Sequence, residues 1–421
     1  MFNSLRSAVK IDELRNKLLF TLAMLFVFRI GAHIPVPGVN TRVFAELVNS
    51  GALLGFFDVI SGGAFKNFSV FAMSITPYIN ASIIMQLLTV VIPHLEKLAK
   101  EGDEGRRKIT QYTRYLTVVL AFIQAIGVSV ALRHQNVLIV PTVWNYILVA
   151  LTLTAGTAFL MWIGEQITEK GIGNGISLLI FAGIVSRVPA GAVRVTEYLQ
   201  AGTINFLSLL LLLVIGGVVI AAIVAVQEGQ RRIPVQYAKR VVGRRVYGGQ
   251  TTHLPLRVNQ AGVIPVIFAS SIMIFPEQVA SWFSNSWFGS WYMTWFHWGS
   301  AAHTIIYALL IIGFTYFYTA VIMNPVDIAD NIKKYGGFIP GIRPGRPTAE
   351  YISRVMSRVT LAGAVFLALI AILPNFVLLV TRIPNIYFGG TSLLIVVGVA
   401  LDTMKQVESH MLMRSYQGFI K

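Results

Sequence analysis

Residues 206–226 read FLSLLLLLVIGGVVIAAIVAV, an uninterrupted run without one charged side chain. A helix that crosses the hydrocarbon core of a bilayer needs about 20 mostly apolar residues, so this run alone makes lipid part of the solvent. The composition agrees. Of 421 residues, 55% are hydrophobic and 12% charged, against about 25% charged in an ordinary soluble domain, and the mean hydropathy is +0.68. The net charge of +16 would point to nucleic acid if it lay on a polar domain, but the basic residues sit between apolar runs. With no cysteine in the chain, a disulfide framework, thiol catalysis and a thiolate metal site are excluded.

Working outward from 206–226, nine further segments are long and apolar enough to span: 18–34, 68–92, 114–132, 143–163, 174–193, 259–280, 301–323, 353–374 and 389–409. The run 389–401 is as plain as the first, whereas 174–193 opens on Asn174-Gly175 and is expected to fail a strict hydropathy threshold. The chain reads as an all-α polytopic membrane protein of ten spans. Most of the 34 Lys and Arg lie in the N-terminal arm, the loops after spans two, four, six and eight, and the C-terminal end. Only Arg29, Arg42, Lys66, Arg133, Arg187, Arg194 and Arg382 fall elsewhere, so the positive-inside rule puts the even loops and both termini in the cytoplasm. The run 18–28 lacks a small-x-small cleavage site and reads as a retained span. Ahead of it, residues 1–17 intersperse Phe2, Leu5, Val9 and Leu14 with Arg6, Lys10, Arg15 and Lys17, which suits a short interfacial helix.

The span centres carry no ionisable group. Arg29, Arg114, Arg187, Glu277, Arg354, Arg358, Asp402, Lys405 and Glu408 all lie near span ends, which disfavours proton-coupled transport, although sodium coupling through backbone carbonyls would leave no such trace. The seven histidines show no metal-binding spacing, and neither a nucleophile elbow nor a Walker lysine is present. Residues 171–176, GIGNGI, fail the dinucleotide pattern and read as a structural turn.

Three features ask for a role. In 53–63, LLGFFDVISGG, the spacing puts Leu53, Phe56, Phe57, Ile60 and Ala64 on one helical face, yet the stretch is too short to cross; it is either a surface helix or a re-entrant element. The loops at about 228–258 and 324–352 carry Arg231, Arg232, Lys239, Arg240, Arg244, Arg245 and Arg257, then Lys333, Lys334, Arg343 and Arg346. Topology signal and attraction to anionic lipid explain part of this, while the stiff tip Pro340-Gly341-Ile342-Arg343-Pro344-Gly345 suits docking to a protein or RNA. Finally, ten spans divide five and five, which would set two halves in opposite orientations.

Several longer strings are distinctive: Ile34-Pro35-Val36-Pro37-Gly38, Ser61-Gly62-Gly63-Ala64, Gln111-Tyr112-Thr113-Arg114-Tyr115, Gly164-Glu165-Gln166-Ile167-Thr168-Glu169-Lys170-Gly171-Ile172-Gly173-Asn174-Gly175-Ile176-Ser177 and Gly389-Gly390-Thr391-Ser392-Leu393. In them the chain resembles, essentially end to end, the bacterial SecY family, the central subunits of the Sec protein-translocation channel. The resemblance implies two pseudo-symmetric, inverted five-helix halves, 18–193 and 194–409, around an hourglass pore, with a cytoplasmic tail from 410 to 421. By the same resemblance the pore ring is Ile75, Ile79, Ile176, Ile180, Ile267 and Ile395, and a plug helix at about 53–66 includes Leu53, Leu54, Phe56, Phe57, Ile60, Gly62 and Gly63. A lateral gate carries Asn80, Gln124 and Asn259, whose plainer reading is interhelical hydrogen bonding. Arg231, Arg232, Lys239, Arg240, Arg244, Arg245 and Arg343 become docking residues. The implied function is a passive protein-conducting channel in the bacterial cytoplasmic membrane, without catalysis or cofactor. Implied partners are small SecE-type and SecG-type subunits, the SecA motor ATPase, the ribosome, signal-sequence-bearing polypeptides and anionic lipids. The rival readings are a small-solute transporter and an intramembrane enzyme.

Overall fold

The computed structural model describes residues 11–50, 58, 61–131, 137–140, 142–202, 205–237, 240–242, 245–247, 251–282, 286–297, 300–381 and 390–418. Each of the ten apolar segments holds a helix: α1 (Asp12–Gly31), α3 (Thr76–Val91), α5 (Asp103–Ala131), α6 (Val143–Lys170), α7 (Gly175–Gln200), α8 (Phe206–Glu228), α9 (Ile264–Trp282), α11 (Ala301–Ile322), α13 (Arg346–Thr381) and α14 (Gly390–Gly418). Shorter helices connect them: α2 (Thr41–Ser50), α4 (Pro93–Lys100), α10 (Trp287–Trp295) and α12 (Pro325–Lys334). Among the described residues, seven helices are long and apolar enough to span, or up to eight if the pair α3–α4, bent by 100° at Pro93, counts as one. α7 is among the seven, so the expectation for 174–193 was too pessimistic: the helix runs on to Gln200 and its apolar middle outweighs its polar start.

The molecule is apolar on its outside. Phe206 and Leu207 are each 74% exposed, and Val143, Leu213 and Val218 lie equally open, as the lipid-facing surface of a spanning bundle requires. Charges near the span ends are paired: Arg114 with Glu165 at 2.8 Å, joining α5 to α6, and Lys405 with Glu228 at 2.7 Å, joining α14 to α8.

Other differences from the sequence reading have local causes. Residues 12–17 are the first turns of α1 rather than part of a separate arm. The segment 68–92 is helical only from Thr76, because 61–75 is a chain of turns. Gly62 and Gly63 hold positive φ there, as do Phe68 and Ser74, and Pro77 sits in the first turn of α3. Its backbone finds partners outside a helix: Val36 N–H donates to Phe68 O and Val70 N–H to Ile34 O, both at 2.9 Å. Ala64 therefore lies in these turns and not on a helical face.

The largest difference is in the basic loops. Residues 230–257 hold strands β1 (Gln230–Tyr237), β2 (Arg240–Val242), β3 (Arg245–Tyr247) and β4 (Thr251–Arg257), with β5 (Gly337–Phe338) further on. The order β4-β1-β5 is antiparallel, with Ile233 opposite Leu254 and Arg231 opposite Leu256. One face of this sheet buries Ile233, Val235 and Leu256 against Ile332 of α12 and Ile352 and Met356 of α13. Alternating side chains make a half-buried strand, and here the alternation is masked by the adjacent arginines.

Helices α1 to α7 pack chiefly on one another, as do α8 to α14. The two sets meet along two principal seams, α3 and α5 against α9, and α7 against α14.

Candidate functional site

Ile75 and Ile79 lie one helical turn apart at the start of α3, where Ile79 N–H donates to Ile75 O at 3.1 Å. Ile176 and Ile180 repeat that spacing on α7. Their register is fixed by Asn174, whose side chain caps α7 by accepting from Ile176 N–H at 3.1 Å and Ser177 N–H at 3.2 Å. The Gly-rich stretch before it is a turn, with Gly173 at φ +89° donating its N–H across the seam to Gln406 Oε1 of α14 at 2.9 Å. Ile267 stands on α9 and Ile395 on α14. All six isoleucines enter one apolar cluster: Ile75, Ile79, Ile180 and Ile395 are buried in it, and Ile176 and Ile267 pack half-buried against it. They occupy the helices α3, α7, α9 and α14, which form the two seams.

The expected plug residues Leu53, Leu54, Phe56, Phe57 and Ile60 lie outside the described residues. Asp58, Gly62 and Gly63 are described, and they form a tightly bonded turn. Asp58 is 1% exposed; its Oδ1 accepts from Lys66 N–H at 2.7 Å, its carbonyl accepts from Gly63 N–H at 2.9 Å, and its carboxylate pairs with the Arg187 guanidinium of α7. Burial pushes the Asp58 carboxyl above its ordinary pKa, and Arg187 is the strongest of the cations opposing that rise. Arg29 of α1 donates to Gly62 O at 2.6 Å and to Ser186 Oγ at 3.3 Å. Gly62 has φ +68°, and a Cβ there would stand 2.7 Å from Gly183 Cα of α7, so only glycine permits this approach. Arg29 and Arg187 appear in the sequence only as charges near span ends. Nothing in the spacing joins them to Asp58.

Asn80 lies on α3, Gln124 on α5 and Asn259 just before α9, the three elements of the α3/α5–α9 seam. No hydrogen bond links them to one another. Asn259 instead donates to Gly262 O at 3.0 Å within its own turn, so the plainer reading, hydrogen bonding between helices, finds no bond among the three. Of the basic residues, Arg231 and Arg232 are exposed on β1 and Arg343 is exposed on the turn before α13. Arg240 and Arg245 fall in the paired strands β2 and β3, and Lys239 and Arg244 lie outside the described residues. Arg231, Arg232 and Arg343 thus ride on a folded platform with its own core, while Arg240 and Arg245 stand on a separate two-stranded sheet.

The family model for SecY matches residues 69–404. This chain belongs to the SecY family. Its relative in Halalkalibacterium halodurans, a protein translocase subunit SecY, is 52% identical over the whole of both chains. That relationship favours a translocase subunit over a small-solute transporter. Two solved structures share the SecY fold at low identity. One, from work describing a SecY plug domain that stabilises the closed state of the translocation channel, matches with a TM-score of 0.69 at 20% identity, covering 94% of this chain and 92% of the other. The second is Sec61 in a canine ribosome–channel complex, with a TM-score of 0.62 at 18% identity and the same coverage.

Proposed function

We propose that this chain is the passive protein-conducting subunit of a translocase in the bacterial cytoplasmic membrane, with both termini in the cytoplasm. One observation carries the reading: the six isoleucines, on four helices drawn from both sets, all belong to the one large apolar core that the two sets share. A ring of branched apolar side chains excludes water and ions when empty, and it offers an unrelated polypeptide no specific hydrogen bond to hold it. The halves are 18–193 and 194–409, with Ile75, Ile79, Ile176, Ile180, Ile267 and Ile395 as the constriction.

The turn at Asp58, Gly62 and Gly63 seats the plug segment 53–66 by tying it to α1 and α7. The α3/α5–α9 seam is the lateral gate, because no hydrogen bond among Asn80, Gln124 and Asn259 holds it, whereas the α7–α14 seam is pinned through Gly173 and Gln406. A hydrophobic signal sequence then needs to displace only apolar packing to reach lipid. The chain performs no chemistry, so the energy comes from a SecA-type ATPase or the ribosome docked on the basic sheet and the Arg343 turn. SecE-type and SecG-type subunits and anionic lipids complete the assembly. Reconstitution with the motor ATPase and a presequence-bearing protein tests this reading. ATP-dependent protease protection of the substrate is expected; ATP-independent uptake of small solutes without any protected polypeptide would overturn it.

A further inference from the structure

The nine residues of α10, WFGSWYMTW, contain three tryptophans at intervals of four. Trp287 is 81%, Trp291 42% and Trp295 62% exposed, and the rings of Trp287 and Trp291 stack at 6.3 Å. Ser290 and Thr294 lie exposed beside them, while Gly289 and Tyr292 on the other half are buried. No Lys, Arg, Asp or Glu occurs in 286–297. A Trp side chain offers on the order of 150–250 Å², so at these exposures the three leave open about 300–450 Å², comparable to the largest apolar patch of a soluble monomer.

The chain fixes where this patch can be. α10 follows α9 by the four residues 283–286 and precedes α11 by the five residues 296–300, and at ~3.5 Å per residue these connectors reach at most about 14 and 18 Å. α10 thus stays at the membrane surface, on the face opposite the basic sheet. There the indole, an apolar body with one N–H donor, suits the boundary between headgroup and acyl chain, and small hydroxyls beside it suit the same layer.

We propose that α10 lies in the plane of the membrane with Trp287, Trp291 and Trp295 inserted in phospholipid at the headgroup–acyl boundary, and so anchors the outer end of α9, the gate helix that carries Ile267. The proposal rests on α9 and α11 crossing the bilayer.

The test uses the full chain in phosphatidylcholine–phosphatidylglycerol vesicles, with Trp144, Trp162, Trp282 and Trp298 replaced by Phe. Lipids brominated near the headgroup end of the acyl chain should quench the remaining emission at least twofold, and lipids brominated near the chain terminus should quench it less. Leu309→Trp in a chain whose seven native tryptophans are all Phe, on the open face of α11, serves as the control and should show the opposite order. Quenching of the control without quenching of α10 would overturn the anchor and leave a protein partner as the cover. An unquenched control would instead overturn the spanning reading on which the anchor rests.

Discussion

Replacing Arg187 by Ala tests the plug seat directly. The substitution leaves Asp58, 1% exposed, with its charge buried and its main counter-ion gone. Breaking a buried ion pair by removing one partner costs about 3–5 kcal/mol; the Arg187 side chain is 25% exposed, so solvent screening favours the lower end, about 3 kcal/mol. The unseated turn, where Asp58 reaches water, escapes this penalty. At 1.4 kcal/mol per tenfold, the ratio of seated to unseated turns falls about a hundredfold. Asp58→Asn with Arg187→Gln removes both charges together, and most of the loss should return, because removing both members of a buried pair is far less costly than removing one. Arg29→Gln loses one charge-assisted bond to the Gly62 carbonyl, on the order of 1.5–3 kcal/mol, and ranks below Arg187→Ala. The assay is ion conductance of the purified complex in planar bilayers without substrate. An Arg187→Ala channel as ion-tight as the parent, or a double variant as leaky as the single, would falsify the latch.

Ile79→Asn with Ile267→Asn should wet the constriction, raising resting conductance by roughly tenfold or more while protein translocation continues; unchanged conductance would remove both from the pore. Gly62→Ala places a methyl group against the α7 backbone and should unseat the turn at a cost of about 1–3 kcal/mol, seen as leak even though the Asp58–Arg187 pair remains; an ion-tight Gly62→Ala channel would show that the close approach is dispensable. Arg232→Glu and Arg343→Glu sit on exposed surface and should change thermal stability by no more than about 0.5 kcal/mol, yet weaken salt-dependent binding of the motor ATPase or ribosome. Wild-type binding by both would move the docking surface elsewhere.

The spans were legible because lipid imposes a one-dimensional test, length and apolarity, which 206–226 meets without any knowledge of neighbours. Contacts between elements impose no such test. Asp58 and Arg187 meet only because Gly62 lets a turn reach Gly183 on a helix far along the chain, and the residues between them give no sign of it. The strands were hidden for a different reason: Arg231 and Arg232 make β1 read as a charged loop, while the partners that bury Ile233 and Val235 come from α12 and α13. The six isoleucines are indistinguishable in sequence from lipid-facing ones, and only the resemblance singled them out.

Their burial carries a consequence that sequence could not. A membrane protein gains little from apolar contact between its helices, since lipid is an equally good solvent for isoleucine. Asn80, Gln124 and Asn259 make no hydrogen bond to one another, so on the proposed reading of α3/α5–α9 as the gate they add little to the apolar packing that a signal sequence must displace. Contacts that would cost more to break stand elsewhere: Gly173 to Gln406 at the α7–α14 seam, and Arg29 and Arg187 on the plug turn. On the proposed reading, such a channel opens first on its lipid side, and only a guest that also displaces the plug turn opens it through.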